Sequence, residues 1–386
     1  MWFVIRTSLA QSPLFEYIAF RLFLAEPARY IELVANAQME STMAAQVSFG
    51  MFDWLDRASG TVGELYESRL KLIELADQAG FYGYHLAEHH GTPLGMAPSP
   101  SLYFAAVAQR TAKIRFSPMA FLLPMYHPVR LIEEVCMLDH LSQGRVELGV
   151  SRGVSPYEIK CFGVNPEQTR EIFTEVLEVF RAGMSNEVLN FSGKHFQLKD
   201  VPMVIKPLQR PYPPLWYPSF SQAGVDYAAQ HSFNFLSLGP PALITQLMAQ
   251  YRQTWAANTG TPNRLNGHVA APKLGAMRQI YIAETDAAAL AVAKPAYADW
   301  YQSITQLWHR NADTAYDQFF DWDACMAGET ILIGSVATVR EQIRRLVAES
   351  GINYFVGSFA WGSLSPAQSR RSLEHFIGEI MPAISA

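Results

Sequence analysis

From residue 47 onward the chain alternates between two textures. Short runs of β-branched and aromatic residues are each followed by a stretch with helical spacing. The strand-like runs fall at residues 47–52, 81–88, 113–123, 144–151, 214–218, 233–238, 278–283 and 353–358. The first helix, residues 64–79, shows the pattern well: Leu65, Leu72, Leu75 and Ala76 share one face and Gly80 stops it. Strands alternating with helices imply a parallel sheet. Eight of them, with no linker-like gap, imply a closed (β/α)8 TIM barrel, enlarged beyond the usual ~250 residues by insertions. Two insertions are expected: a hairpin at 187–198, in the fourth unit, and a long, partly helical segment at 286–329, after the seventh strand. The competing architecture is an open doubly wound sheet, whose mark is a glycine-rich phosphate loop after the first strand. That position reads Phe52-Asp53-Trp54-Leu55-Asp56, which lacks it.

Composition narrows the function classes. A net charge of −5 gives no basic footprint for nucleic acid. Cys136, Cys161 and Cys325 are odd in number and lack metal-ligand spacing, so neither a disulfide framework nor a metal centre is expected, and the expected compartment is the reducing cytoplasm. No apolar run approaches the roughly 20 residues that span a bilayer. Residues 1–45 precede the first strand pattern and make a poor signal peptide, with a single Arg6 and a short apolar run from Trp2 to Ile5. They read as an accessory helical extension, and Met39 or Met43 offers an alternative start. Residues 46–386 hold the barrel.

In a (β/α)8 barrel every strand-end loop opens on one face, where the chemistry gathers. Three such loops stand out. Ala87-Glu88-His89-His90-Gly91 ends the second strand and joins a carboxylate to two imidazoles, the side chains best suited to proton transfer near neutral pH. Ser151-Arg152-Gly153 ends the fourth, pairing a fixed cation with a residue that lets backbone approach closely, which suits a phosphate. Pro218-Ser219-Phe220-Ser221 ends the fifth, with Ser221 at a helix start, where free N–H groups attract anions. Taken singly, each has a plainer reading: hydrogen-bonded histidines, an arginine paired with a surface carboxylate, a helix-capping serine.

At this point the chain resembles the bacterial luciferase-like flavin-dependent monooxygenases. The resemblance runs from about Val47 to the C-terminus. It is carried by AEHH at 87–90, LLPMYHPVRLIEE at 122–134, LDHLSQGRVELGVSRG at 138–153 and the closing GINYF with a helix ending in MP. It implies reduced FMN, or the deazaflavin F420 in one branch, bound at the C-terminal ends of the strands. His89 falls on the family's catalytic histidine and His90 beside it. Arg152 with Gly153, Arg170 and Ser221 fall on phosphate-contacting positions. Met119-Ala120 falls where members carry a non-prolyl cis peptide beneath the flavin ring, and Val154 and Pro218 where backbone contacts the flavin. Two positions depart: Ser151 stands in place of a reactive cysteine and Phe220 in place of a glutamate. Neither luciferase activity nor a Ser151 nucleophile is therefore expected.

The function implied is a monooxygenase. It would use FMNH2 from a separate NAD(P)H-dependent flavin reductase, and O2, to oxygenate a small organic substrate through a flavin C4a-hydroperoxide. The alternatives are an F420-dependent dehydrogenase or reductase, and a non-catalytic flavin-binding partner subunit. A homodimer is expected. Residues 305–329, with Trp308, Tyr316, Phe319, Phe320 and Trp322, read as a lid that excludes water.

Overall fold

A computed structural model of the protein describes residues 47–385 apart from 58 and 263. The extension read over residues 1–45 lies outside the described residues. Strand β1 (Ser48–Asp53) leads to helix α1 (Val62–Gln78). The Thr61 hydroxyl accepts from the Glu64 N–H, and the Glu64 carboxylate accepts from the Thr61 N–H, so two donors at the helix start are satisfied reciprocally. The chain continues through β2 (Gly83–Leu86), α2 (Pro100–Arg110), β3 (Arg115–Pro118), β4 (Phe121–Leu122), α3 (Pro128–Leu141), β5 (Leu148–Ser151), α4 (Pro156–Cys161) and α5 (Thr169–Ser185). After α5 come the antiparallel hairpin β6 (Val188–Ser192) and β7 (Gln197–Pro202), then β8 (Leu215–Pro218), α6 (Gln222–Gln230), β9 (Asn234–Ser237) and α7 (Pro241–Ala257). The last part holds β10 (Leu274–Ala283), α8 (Asp286–Arg310), α9 (Trp322–Ala327), β11 (Ile331–Ser335), α10 (Val336–Ser350), β12 (Tyr354–Ser358) and α11 (Pro366–His375).

The main sheet is parallel, in the order β3-β2-β1-β12-β10-β9-β8-β5-β4. A parallel bridge between Phe116 and Val146 joins the β3 edge to the residues entering β5, which brings the ring together. With β3 and β4 taken as one interrupted strand, this is the eight-stranded barrel expected. Side chains alternate in and out. Phe52, Ala87, Met119, Trp216, Leu236, Met277 and Val356 meet in one buried cluster. Polar side chains in the lumen hydrogen-bond to one another around His85 and Glu147. His85 contacts Ser117 Oγ at 2.9 Å and the Tyr354 hydroxyl at 2.7 Å, and burial pushes its imidazole down to about 3, so it is neutral. Glu147 accepts from Tyr82, Arg115 and Trp216.

Several elements differ from the sequence reading. The third strand is split at Met119–Ala120, whose peptide bond is cis, into β3 and β4. The seventh begins earlier, at Leu274: Gly275 and Ala276 weaken the strand pattern, yet the site needs small residues, because a Cβ on Gly275 would lie 2.8 Å from Leu236 Cδ1. β11 was not foreseen. Its short apolar run leads straight into α10, so periodicity cannot separate the two, and it pairs with the upper half of β10. Within 286–329 two helices form, α8 over Asp286–Arg310 and α9 over Trp322–Ala327.

Outside the ring, Arg69 of α1 is buried between two carboxylates, 3.1 Å from Asp53 and 3.5 Å from Asp56. Asp56 also accepts the Gly362 N–H at 2.5 Å, tying the β1 loop to the loop after β12. Burial raises Asp56 from 3.8 to about 7, against the opposing pull of Arg69. A carboxyl whose native pKa is raised adds stability that is complete below its unfolded pKa and is lost as pH climbs through the native value. Asp56→Asn removes this dependence. Relative to the variant, the wild type therefore loses up to about 1.4 kcal/mol per pH unit between roughly pH 4 and pH 7. Urea unfolding at several pH values measures the difference; parallel curves for the two proteins would contradict it.

Candidate active site

Beyond β2, the chain carries Glu88, His89 and His90 into the loop at the barrel mouth. The two imidazoles have separate carboxylates. His90 Nε2 lies 2.9 Å from Glu88 Oε1, and its ring meets Phe162 edge-on at 4.6 Å. His89 Nδ1 lies 3.1 Å from Glu158 Oε1, and the other oxygen of Glu158 accepts the His90 backbone N–H at 2.9 Å. Glu88 is almost wholly buried and also accepts from Leu122 N–H at 3.2 Å and the Tyr126 hydroxyl at 3.0 Å. Burial raises its pKa, while the His90 contact opposes the rise. Burial pushes Glu158 up as well, but the His89 charge and the hydrogen bonds from both histidines outweigh it, holding this carboxyl below the usual range. Glu88 thus orients His90 rather than His89. The side chains of His89 and His90 remain 20% and 15% exposed, enough for a ligand to reach them.

Glu158 and Tyr126 were not singled out in the sequence. Ser155-Pro156-Tyr157-Glu158 carries a readable helix start: a capping serine, proline at the first position and an acid three residues on. Ser155 Oγ does cap, accepting the Glu158 N–H at 3.3 Å. The Glu158 carboxylate, however, goes to the histidines. The next face of the same helix holds the insertion, since the Tyr157 hydroxyl donates to Asp313 Oδ2 at 2.8 Å and its ring meets Trp308 at 5.2 Å. Within residues 305–329 Trp308 stacks on Tyr316 at 4.1 Å, and Phe320 and Trp322 pack against Trp300 and Tyr297. Phe319 is exposed.

The second group of residues lies at the ends of β5 and β8. Arg152 and Arg170 are exposed and form no ion pair among the described residues. Both act on the same hydroxyl: burial raises the Tyr217 phenol, and the charges of Arg152 and Arg170 oppose it. Gly153 has φ +85°, a left-handed conformation that favours glycine. Val154 beside it is exposed, and Met119 and Ala120 are buried at the break between β3 and β4. Ser151 Oγ accepts the Gly153 N–H at 3.1 Å and shapes the loop. Ser221 caps α6, accepting the Gly224 N–H at 3.1 Å, and Ser219 Oγ lies 3.2 Å from Ser221 Oγ. A Cβ on Gly224 would come within 2.0 Å of Ser219 Oγ, so the hydroxyl-lined turn requires glycine there. Pro218 enters this turn half-buried.

The family model described as luciferase-like monooxygenase matches residues 47–354. The chain belongs to this family. An uncharacterised protein of Sinorhizobium fredii, y4wF, is 34% identical over 327 residues, covering 84% of this chain and 94% of that one. The oxygenase component of the flavin-dependent trigonelline monooxygenase of Acinetobacter baylyi is 24% identical, covering 87% and 95%. The oxygenating constituent of 3,6-diketocamphane monooxygenase from Pseudomonas putida, solved with FMN, superposes with a TM-score of 0.70 at 22% identity, covering 87% and 98%. The superposition shows a shared fold.

The residues present fit a flavin phosphate. Two guanidiniums lack carboxylate partners among the described residues, and a capped helix start presents two hydroxyls in a turn that a Cβ would fill. A charge-assisted hydrogen bond contributes about 1.5–3 kcal/mol. Arg152→Ala should therefore weaken FMN binding by roughly 10- to 150-fold and riboflavin binding little. Titration of both ligands checks this, and equal losses would remove Arg152 from the phosphate site.

Proposed function

We propose that the chain is the oxygenase of a two-component system. It takes reduced FMN from a separate NAD(P)H-dependent reductase and places one atom of O2 in a small organic substrate. The observation that carries this reading is the pairing of a phosphate-type cradle at β5 and β8 with a carboxylate-held histidine pair beyond β2. Reduced FMN, when bound, supplies the electrons that activate oxygen. Arg152 with Gly153, Arg170 and Ser221 would bind its phosphate, with Met119, Ala120, Val154 and Pro218 contributing further surface for the flavin. His89 takes or returns a proton through Nε2, which has no partner among the described residues. His90, held by Glu88, supports the loop. The aromatic insertion excludes water. The loop after β1 lacks a dinucleotide-binding glycine pattern, which accords with a borrowed reductant.

Stopped-flow mixing of the protein and FMNH2 with oxygen, with reduced F420 run in parallel, tests this. The protein should slow flavin oxidation to H2O2 relative to free FMNH2. Oxidation at the free-solution rate, with tight binding of reduced F420, would establish the hydride-transfer alternative. His89→Ala should lower product formation by about 10²–10⁴-fold, the contribution of one positioned proton carrier, with FMN affinity nearly unchanged. If coupling of flavin oxidation to product survives, the role passes to His90.

Residues 1–45 precede the family match, which begins at residue 47. A chain beginning at Met43 should keep its melting temperature and its FMN affinity. A large fall in either shows that the extension belongs to the folded unit. Chromatography with light scattering decides whether the proposed homodimer forms.

A further inference from the structure

The Glu158 carboxylate has two donors and no spare role. One oxygen faces His89 Nδ1 at 3.1 Å and the other takes the His90 backbone N–H at 2.9 Å. A carboxylate in its ionised form only accepts. The proton of a neutral His89 must then sit on Nδ1, which leaves the lone pair on Nε2. Helix α4 fixes the carboxylate from both sides: Ser155 caps its first turn, and Tyr157 is tied to Asp313 of the insertion. Glu158 is itself only 7% exposed, so water does not compete freely for its oxygens.

We infer that Glu158 is the positioning residue that sets the tautomer of His89, holding the proton on Nδ1 so that Nε2 is the atom that exchanges protons at the barrel mouth. The inference deepens the proposed function and rests on its assignment of His89. His90 is not equivalent. Its Nε2 is taken by Glu88, whose other oxygen is engaged by Tyr126 and Leu122, so its bonded nitrogen is the one His89 leaves free.

The geometry makes Glu158→Gln a directed test. A carboxamide offers one acceptor and one donor in place of two acceptors. The His90 backbone N–H can only donate, so it claims the oxygen. The amide NH2 is left facing His89 Nδ1, which must now accept. The proton moves to Nε2 and the exchanging lone pair is lost. Glu158→Asp keeps two acceptors on a shorter arm.

The readout is the ¹⁵N–¹H correlation spectrum of histidine-labelled protein, with the His89 signals assigned by their loss in His89→Asn. Wild type should show the Nδ1–H form, Glu158→Asp the same, and Glu158→Gln the Nε2–H form. Product formation should fall about 10²–10⁴-fold in Glu158→Gln, with KM and FMN affinity little changed, and recover to within about tenfold of wild type in Glu158→Asp. An Nε2–H form in wild type overturns the inference without any variant, as does an unaltered tautomer in Glu158→Gln. A switched tautomer with undiminished turnover keeps Glu158 as the residue that sets the tautomer but overturns Nε2 of His89 as the proton-exchanging atom, and with it the role of His89 in the proposed function.

Discussion

Burying a carboxylate is unfavourable unless its oxygens are occupied. Glu88, just beyond β2, meets that condition in a way that builds the mouth of the barrel. One oxygen holds His90, and the other takes the N–H of Leu122 in β4 and the hydroxyl of Tyr126 before α3. A single side chain thus joins the histidine loop to the far side of the break at Met119–Ala120. Remove those partners and the carboxyl would have to turn toward solvent, taking the histidine loop with it. Glu158 repeats the arrangement from the other side, approaching the same loop from the segment that follows Arg152. The loop is held between two carboxylates on different elements, and a pair of imidazoles keeps fixed positions at a rim where backbone alone would not secure them.

The two halves of the site obey different physics. Around the histidines, charge is compensated inside the protein, and the side chains are buried or nearly so. At β5 and β8 the opposite holds: Arg152 and Arg170 are exposed, with no carboxylate to neutralise them among the described residues. A compensated region can steer protons without attracting ions. An uncompensated one attracts an anion and has little else to bind. Under the proposed function, their placement on one barrel face would give a single elongated ligand two distinct ends to recognise, one phosphate-like and one reactive.

The barrel was legible because each strand carries its own signal and parallel order follows from alternation with helices. Only strands whose pattern is weakened by small residues, such as Gly275 and Ala276, or merged into a helix start, as at Ile331–Ser335, escaped. The histidine run and the Ser151-Arg152-Gly153 loop stood out because rare residue types cluster at strand ends. Which carboxylate serves which histidine did not. Glu158 lies 69 positions from His89, and its local pattern predicts a helix cap, a bond that its backbone makes and its side chain does not. Gly224 carries no signal either, because its necessity appears only when Ser219 folds back against it.

The seam of the ring lies between β1 and β12, where Ser48 pairs with Tyr354, and it is reinforced where Asp56 accepts the Gly362 N–H across 306 positions of chain. During synthesis β2 can line one edge of β1 early, but the other edge has no partner until nearly the whole chain has been made. An open strand edge is a template for pairing with other chains. The nascent protein therefore carries an open strand edge through almost the full time of translation. The same closing strand that completes the barrel removes that hazard, in a step of high contact order and correspondingly slow folding.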